Sequence, residues 1–227
     1  MTDASPGLFE TIYTTRALRR FKPDAVPDEV LFQLFDAAIR ASSGQNVQDW
    51  RFVVVTDPAV KREMQSWSED AWKRYQPQYA ADPAAIDALP RTKRLSLRSV
   101  EHLSHHLAEV PAIIVVCGLK GRHSTPGGST FPAVQNLLLA ARALGLGGSV
   151  FNLALRRDRL HEMLNIPENN EIYCLLPIGY PVDKAGPVRR KPVKDVVSME
   201  RYGQVWDFAA QQPETGWQDR WVPGQKV

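Results

Sequence analysis

Cysteine is scarce in this chain: 227 residues hold two, Cys117 and Cys174. Each sits inside an apolar run, PAIIVVCG and IYCLLPIG. That pattern suits neither a disulfide framework nor a paired-cysteine metal knuckle, and it predicts two buried strand thiols. Long hydrophobic runs are lacking as well. No apolar stretch approaches the roughly 20 residues of a membrane-spanning helix, and MTDASPGLFE lacks the basic start and apolar core of a secretory leader. The expectation is a cytoplasmic protein with no membrane partner. Excess charge of one sign is absent too: 28 basic against 25 acidic residues give +3. A protein built to coat nucleic acid carries a clear basic excess, so no nucleic-acid partner is expected. No Gly-x-Gly-x-x-Gly follows a strand, and GLGGS stands at a helix end, the wrong context for gripping a pyrophosphate. There is no nucleophile elbow or triad pattern, no internal repeat and no low-complexity tract.

What is present reads as a globular chain with a real core, 44% hydrophobic and 23% charged. Residues 7–14 read as a short helix. In VPDEVLFQLFDAAIRAS, Pro27, Asp28 and Glu29 suit a helix start, and Val30, Leu31, Leu34, Phe35, Ala38 and Ile39 form one apolar stripe. Buried strands are expected at 51–57, 111–118 and 171–181, with a short strand at SVFNL (149–153). FPAVQNLLLAARALGLGG predicts a long buried helix capped by Gly145 or Gly147, and RRDRLHEMLN a shorter one. Residues 58–110 are polar and interrupted by Pro77, Pro83 and Pro90, yet carry Trp67, Trp72, Tyr75 and Tyr79. They read as helical pieces laid over a surface, an insert or lid. The tail after residue 200 holds Trp206, Phe208, Trp217 and Trp221 in hydrophilic sequence, and such side chains want a surface to cover. The elements predict an α+β fold with a central mixed sheet flanked by helices.

Four stretches could carry chemistry. TTRALRRFKP, residues 14–23, holds Arg16, Arg19, Arg20 and Lys22 and no acid. An arginine can bind a phosphate through two parallel hydrogen bonds. With the overall charge near balance, a small anion is favoured over a polyanion. A solvated basic turn accounts for the same residues. The loop Ser42-Ser43-Gly44-Gln45-Asn46-Val47-Gln48 is rich in donors and lies between a buried helix and a buried strand, where functional loops often sit. A plain connecting turn is the alternative. Arg189-Arg190-Lys191 forms a second cation group. HLSHH puts His102, His105 and His106 on one helix face. With only Glu101 and Glu109 nearby, a surface histidine run is favoured over a metal site. Without a nucleophile, any redox or group-transfer chemistry falls to a cofactor.

Taken in order, TRALRRFKPDAVPDEVLFQLFDAAIRASSGQNVQDWRFVVV, AVQNLLLAARALGLGG, LNIPENNEIYCLLPIGYP and RRKPVKDVV resemble the FMN-dependent nitroreductase family across residues 8–200. The resemblance implies an obligate homodimer with FMN at the interface. It assigns residues 1–200 to the FMN-binding domain and 201–227 to an arm wrapping the partner subunit. It further implies that Arg16 and Arg19 meet the flavin phosphate and ring, that Ala17 and Leu18 contribute backbone, and that the loop with Ser42, Ser43, Gly44 and Asn46 reaches the flavin. Val150, Phe151 and Asn152 then lie beside the isoalloxazine, and Arg190 is a second phosphate ligand. The implied activity is reduction of nitroaromatics, quinones or related small-molecule acceptors by NAD(P)H, in a ping-pong cycle. Reductive dehalogenation on the same fold is an alternative, and a non-enzymatic nucleic-acid or anion binder a more distant one. Ala17 stands where the family usually has Ser, and Ser42 and Asp49 replace two loop prolines.

Overall fold

The computed structural model describes residues 6–121, 125–188 and 190–212. The chain divides into a larger unit, Ala17–Lys184, and a smaller one formed by the segments before and after it. The helices are α1 (Leu8–Thr14), α2 (Asp28–Ala38), α3 (Pro58–Tyr75), α4 (Pro77–Ala81), α5 (Arg91–His105), α6 (Thr130–Ala143), α7 (Arg157–Met163) and α8 (Asp207–Ala210). The strands are β1 (Trp50–Val55), β2 (Ala112–Leu119), β3 (Gly147–Gly148) and β4 (Asn170–Gly179). The expected α+β class holds. Among the described residues, no helix is long and apolar enough to cross a membrane.

The larger unit is built around a sheet of order β1-β2-β4-β3, antiparallel at every strand pair. Among the described residues, a parallel pairing enters only as an isolated bridge between Ala17 and Gly148. The two central strands are apolar and buried on both faces, β2 through its β-branched run Ile113–Val116, so their side chains divide by alternation. Ile114 and Val116 of β2, with Cys174, Leu176 and Ile178 of β4, pack against Leu31, Leu34 and Ala38 of α2 and Val134 and Leu137 of α6. Ile113, Val115 and Cys117, with Ile172 and Leu175, pack on the opposite face against Met64 and Trp67 of α3, Leu103 of α5 and Leu160 of α7. The register slips between Val116, opposite Cys174, and Cys117, opposite Ile172. This bulge leaves Tyr173 as the extra residue and keeps Ile172 and Leu175 on one face despite their three-residue spacing.

Two local features differ from the pattern read in the sequence. The long helix stops at Ala143, and Gly145 takes φ +77°, leaving Gly147 free to enter a strand. The short strand is Gly147–Gly148 and not 149–153. The reason is steric: a Cβ on Gly147 would lie 2.9 Å from Leu18 Cδ1 and 3.0 Å from Leu18 Cβ, and one on Gly148 would lie 3.0 Å from the Pro177 carbonyl. At both residues a side chain would collide with the packed neighbours, so the close pairing requires glycine. The 58–110 stretch also carries more core than its polarity suggests, since Met64, Trp72, Ile86 and Leu103 are buried. Asp57 caps α3 through Oδ1, accepting from the Ala59 and Val60 N–H groups at 2.7 and 3.0 Å. Lys61 Nζ donates to the Val110 carbonyl at 2.7 Å, fixing α3 to the start of β2.

In the smaller unit, the Gly186 N–H donates to the Thr14 carbonyl at 3.3 Å. α8 buries Ala209 and leaves Phe208 exposed. Trp217 and Trp221 of the expected arm lie outside the described residues.

Candidate functional site

The basic segment is extended where it enters the larger unit, and it forms a further edge of the sheet. Ala17 bridges Gly148 in parallel, and the Leu18 N–H donates to the Gly148 carbonyl at 3.2 Å. Further on, Phe21 bridges Pro181, Lys22 N–H donates to Tyr180 O at 2.8 Å, and Val182 N–H to Arg20 O at 3.0 Å. This pairing turns Leu18 into the core at 5% exposure, leaves Ala17 and Arg20 exposed, and leaves Arg19 half-buried. Ala17 and Leu18 therefore present backbone at this edge, and the cations separate into Arg19, packed against protein, and Arg20 and Lys22, facing water.

Arg19 is the electrostatic feature of the edge. Its NH1 donates to Ser99 Oγ of α5 at 3.3 Å. Its Nε is buried without a hydrogen-bond partner, and no ion pair to a carboxylate is found for it among the described residues. Burial holds its pKa below the usual arginine value. The acids of the neighbouring stretch are committed elsewhere: Arg98 binds Asp87 at 2.7 Å and Glu101 at 2.8 Å. A guanidinium has five donors in a planar fork, and a half-buried one lacking an anion is costly unless a ligand supplies acceptors. A second unpartnered polar atom, Ser149 Oγ, belongs to a residue 3% exposed, next in sequence to the bridging Gly148. This edge thus fits a polar, acceptor-bearing group such as a flavin.

The residues after the glycine strand, Val150, Phe151 and Asn152, continue from this edge as a non-strand segment. Phe151 is buried, and its N–H donates to Leu175 O at 2.9 Å. Val150 is 42% exposed, and Asn152 is exposed. The loop between α2 and β1 contains a single turn of 3-10 helix at Gly44–Asn46. Gly44 N–H donates to Ser129 Oγ at 3.3 Å, and Gln48 N–H to Ser43 Oγ at 3.2 Å, while Ser42 and Asn46 are exposed. The left-handed residues are Gln45, Asn46 and Gln48, with φ of 52°, 55° and 52°. Three such non-glycine residues in four are unusual, and backbone of this kind clusters at ligand clamps and switch regions. Nothing in the sequence pointed to Gln45 or Gln48, because glutamine has no special preference for this conformation.

Arg16 and Arg190 belong to the smaller unit, and both are exposed. The Gly186–Thr14 hydrogen bond joins the segment two residues before Arg16 to the one four residues before Arg190. One member of each cation group, Arg16 and Arg190, therefore lies in the same compact unit. Arg189 lies outside the described residues. The histidines at the end of α5 and just after it do not converge on a common point. The His102 and His106 rings stack at 4.3 Å, His106 Nδ1 meets Glu109 at 2.8 Å, and His105 Nδ1 lies 3.8 Å from Glu69. Among the described residues, no group of three or more histidine, cysteine or acidic side chains could hold a metal ion. Sequence reasoning missed Ser99 and Ser149, since a lone serine in a helix or loop carries no signal until its neighbours are known.

The fold and these motifs define a class. Residues 12–180 match the model of the Nitroreductase family. The chain belongs to that family, and with it to the FMN-dependent oxidoreductases. It is 31% identical over 189 residues to a protein named NADH dehydrogenase from Thermus thermophilus, covering 80% of this chain and 90% of that one. It is 29% identical over 190 residues to an iodotyrosine deiodinase from Thermotoga neapolitana, covering 84% and 95%. Among solved structures, iodotyrosine deiodinase bound to FMN and 3-iodo-L-tyrosine superposes with a TM-score of 0.67 at 25% identity, over 87% of this chain and 100% of that one.

Proposed function

We propose that this protein uses NAD(P)H to reduce nitroaromatic, quinone or related small-molecule acceptors, with FMN as its cofactor. The observation that carries this reading is Arg19: a half-buried guanidinium with a buried, unpartnered Nε and no carboxylate ion-paired to it among the described residues, on the edge formed by Ala17–Leu18 and Gly148. The redox chemistry, uptake of a hydride from NAD(P)H and its delivery to the acceptor in two separate half-reactions, is what FMN supplies when bound. The protein's share is to bind, orient and exclude water. Arg19 offers charge-assisted donors to electron-rich flavin acceptors, where negative charge grows on reduction. Arg16 and Arg190 neutralise the phosphate dianion. Ala17, Leu18 and the Val150–Asn152 segment bring backbone to the ring, and the Ser42, Ser43, Gly44 and Asn46 loop reaches it from a partner subunit in a homodimer. Residues in the 65–100 stretch cover the acceptor, and the 201–227 arm wraps the partner.

The purified protein is expected to be yellow, to lose its visible absorbance on anaerobic addition of NADH or NADPH, and to regain it with a nitroaromatic or quinone. Initial rates at several acceptor concentrations are expected to give parallel double-reciprocal lines. Arg16→Ala and Arg190→Ala each remove a charged contact of about 1.5–3 kcal/mol, so each is expected to weaken FMN binding at least tenfold in a fluorescence titration. Apoprotein that takes up no added FMN overturns the reading.

A second reading, reductive dehalogenation, is favoured by the kinship to proteins named iodotyrosine deiodinase. Here a two-electron reduction and one proton replace the aryl–halogen bond by aryl–hydrogen and release halide. Halide release from a halogenated phenol or halotyrosine under anaerobic reduction, measured beside nitroaromatic turnover, separates the two.

A further inference from the structure

The Arg19–Ser99 contact links the edge segment to α5, an element that none of the sequence motifs includes. We propose that Ser99 is a positioning residue for Arg19: its hydroxyl fixes one nitrogen of the guanidinium so that the remaining donors stay directed at the bound cofactor. This rests on the reading of Arg19 as an FMN-binding residue.

Four observations carry the argument. First, Ser99 Oγ is the hydrogen-bond partner found for the Arg19 guanidinium among the described residues, at 3.3 Å across 80 residues of sequence. Second, that partner is neutral. A carboxylate at this position would satisfy Arg19 and cancel its charge, and the first acid on either side of Ser99 in sequence, Asp87 and Glu101, is held by Arg98. Third, Ser99 and His102 are three residues apart and share one face of α5, and His106, just past the helix end, stacks on His102. His102 feels the charge of Arg20 and is pushed toward its neutral form mainly by burial, then by His106 and Arg20. The α5 face turned to the basic segment therefore offers a hydroxyl and a ring held toward its neutral form. Fourth, Arg19 is anchored on its backbone side by the edge pairing of Ala17 and Leu18. An arginine retains several rotatable bonds beyond Cα, and freezing them is the entropic part of building a rigid binding fork. A hydroxyl acceptor restrains the side chain without neutralising it.

The test is a double-mutant cycle read by FMN titration of apoprotein, with thermal unfolding of each apoprotein measured alongside. Arg19→Ala is expected to weaken FMN binding at least tenfold. Ser99→Ala is expected to weaken it about three- to tenfold, the size of one modest hydrogen bond. Ser99→Thr, which keeps the hydroxyl, is expected to bind FMN within about twofold of the parent. In the Arg19→Ala background, Ser99→Ala is expected to have no further effect. If Arg19→Ala leaves FMN affinity unchanged, the reading of Arg19 fails and the Ser99 role with it. If Arg19→Ala weakens binding but Ser99→Ala does not, or if Ser99→Ala acts equally in both backgrounds, the positioning role alone is overturned. An effect of Ser99→Ala that tracks loss of apoprotein stability in both backgrounds identifies a merely structural serine.

Discussion

Gly147 couples the end of α6 to the basic edge segment, and replacing it by alanine probes that coupling directly. The added Cβ meets Leu18 Cδ1 at 2.9 Å, Leu18 Cβ at 3.0 Å and Pro181 Cβ at 3.3 Å. Relaxed carbon–carbon contacts lie near ~3.5–4.0 Å. The Cδ1 contact can be relieved by rotating the leucine, but the Cβ contact cannot, because that atom is fixed to the backbone. Leu18 is only 5% exposed and its N–H is bonded to Gly148 O. The edge strand must therefore move outward by several tenths of an ångström. Overpacking of this kind costs about 1–3 kcal/mol, a fall in Tm of about 2–4 °C per kcal/mol for a chain of this size. Because Arg19 follows Leu18 directly, FMN affinity is expected to fall as well, in the same titration used for the parent. Gly145→Ala is the control. It strains a left-handed residue at φ +77° but meets nothing within 4 Å, so it is expected to cost about 1–2 kcal/mol while leaving FMN affinity unchanged. A Gly147→Ala protein with parental Tm and parental FMN affinity would refute the close-packing argument.

Two further outcomes follow from titratable groups. His102 has its pKa lowered, chiefly by burial and then by His106 and Arg20, against smaller opposing effects of Glu109 and Asp183. For a base with a depressed folded-state pKa, the unfolded chain binds the extra proton first. Its stabilising contribution is therefore present above the unfolded value of about 6.5 and is lost as pH falls through the folded one. The parent is expected to lose more stability between pH 7 and pH 5 than His102→Gln in urea unfolding, and equal slopes would refute the assignment. Burial also raises the Cys117 thiol to about 11 and the Cys174 thiol, with its neighbour Cys117, to about 12. Native protein at pH 8 is expected to react slowly with a thiol reagent, and both thiols to react at once in denaturant; rapid native labelling would contradict their burial.

The α+β class, the two buried thiols, the helix start at Pro27 and the principal strands were legible because each depends on local pattern: apolar periodicity, capping residues and β-branched runs. The family was legible because several loose motifs occur in one order. The glycine strand was not. GLGGS reads locally as a helix cap, and only the approach of Leu18 and Pro177 explains why Gly147 and Gly148 lack side chains. The 58–110 stretch looked like surface because its helices are amphipathic and polar on average. Met64 and Leu103 reach the core only because α3 and α5 turn one narrow face to the sheet. The left-handed backbone at Gln45, Asn46 and Gln48 follows no residue preference, and the Gly44 bond to Ser129 that pins this loop joins residues 85 apart in sequence.

By itself, then, the sequence determined the inventory: which stretches are buried, where cations gather, and which motifs follow one another in the family's order. Only the tertiary structure decided which cations differ from one another. TTRALRRFKP is a uniform basic run until its pairing with Gly148 and Tyr180 turns it into an edge strand. Strand alternation and the packing of α5 then half-bury Arg19 against a serine and leave Arg20 exposed. A charge acquires a particular role through its desolvation and its partners, and both depend on residues distant in sequence that no local pattern can specify.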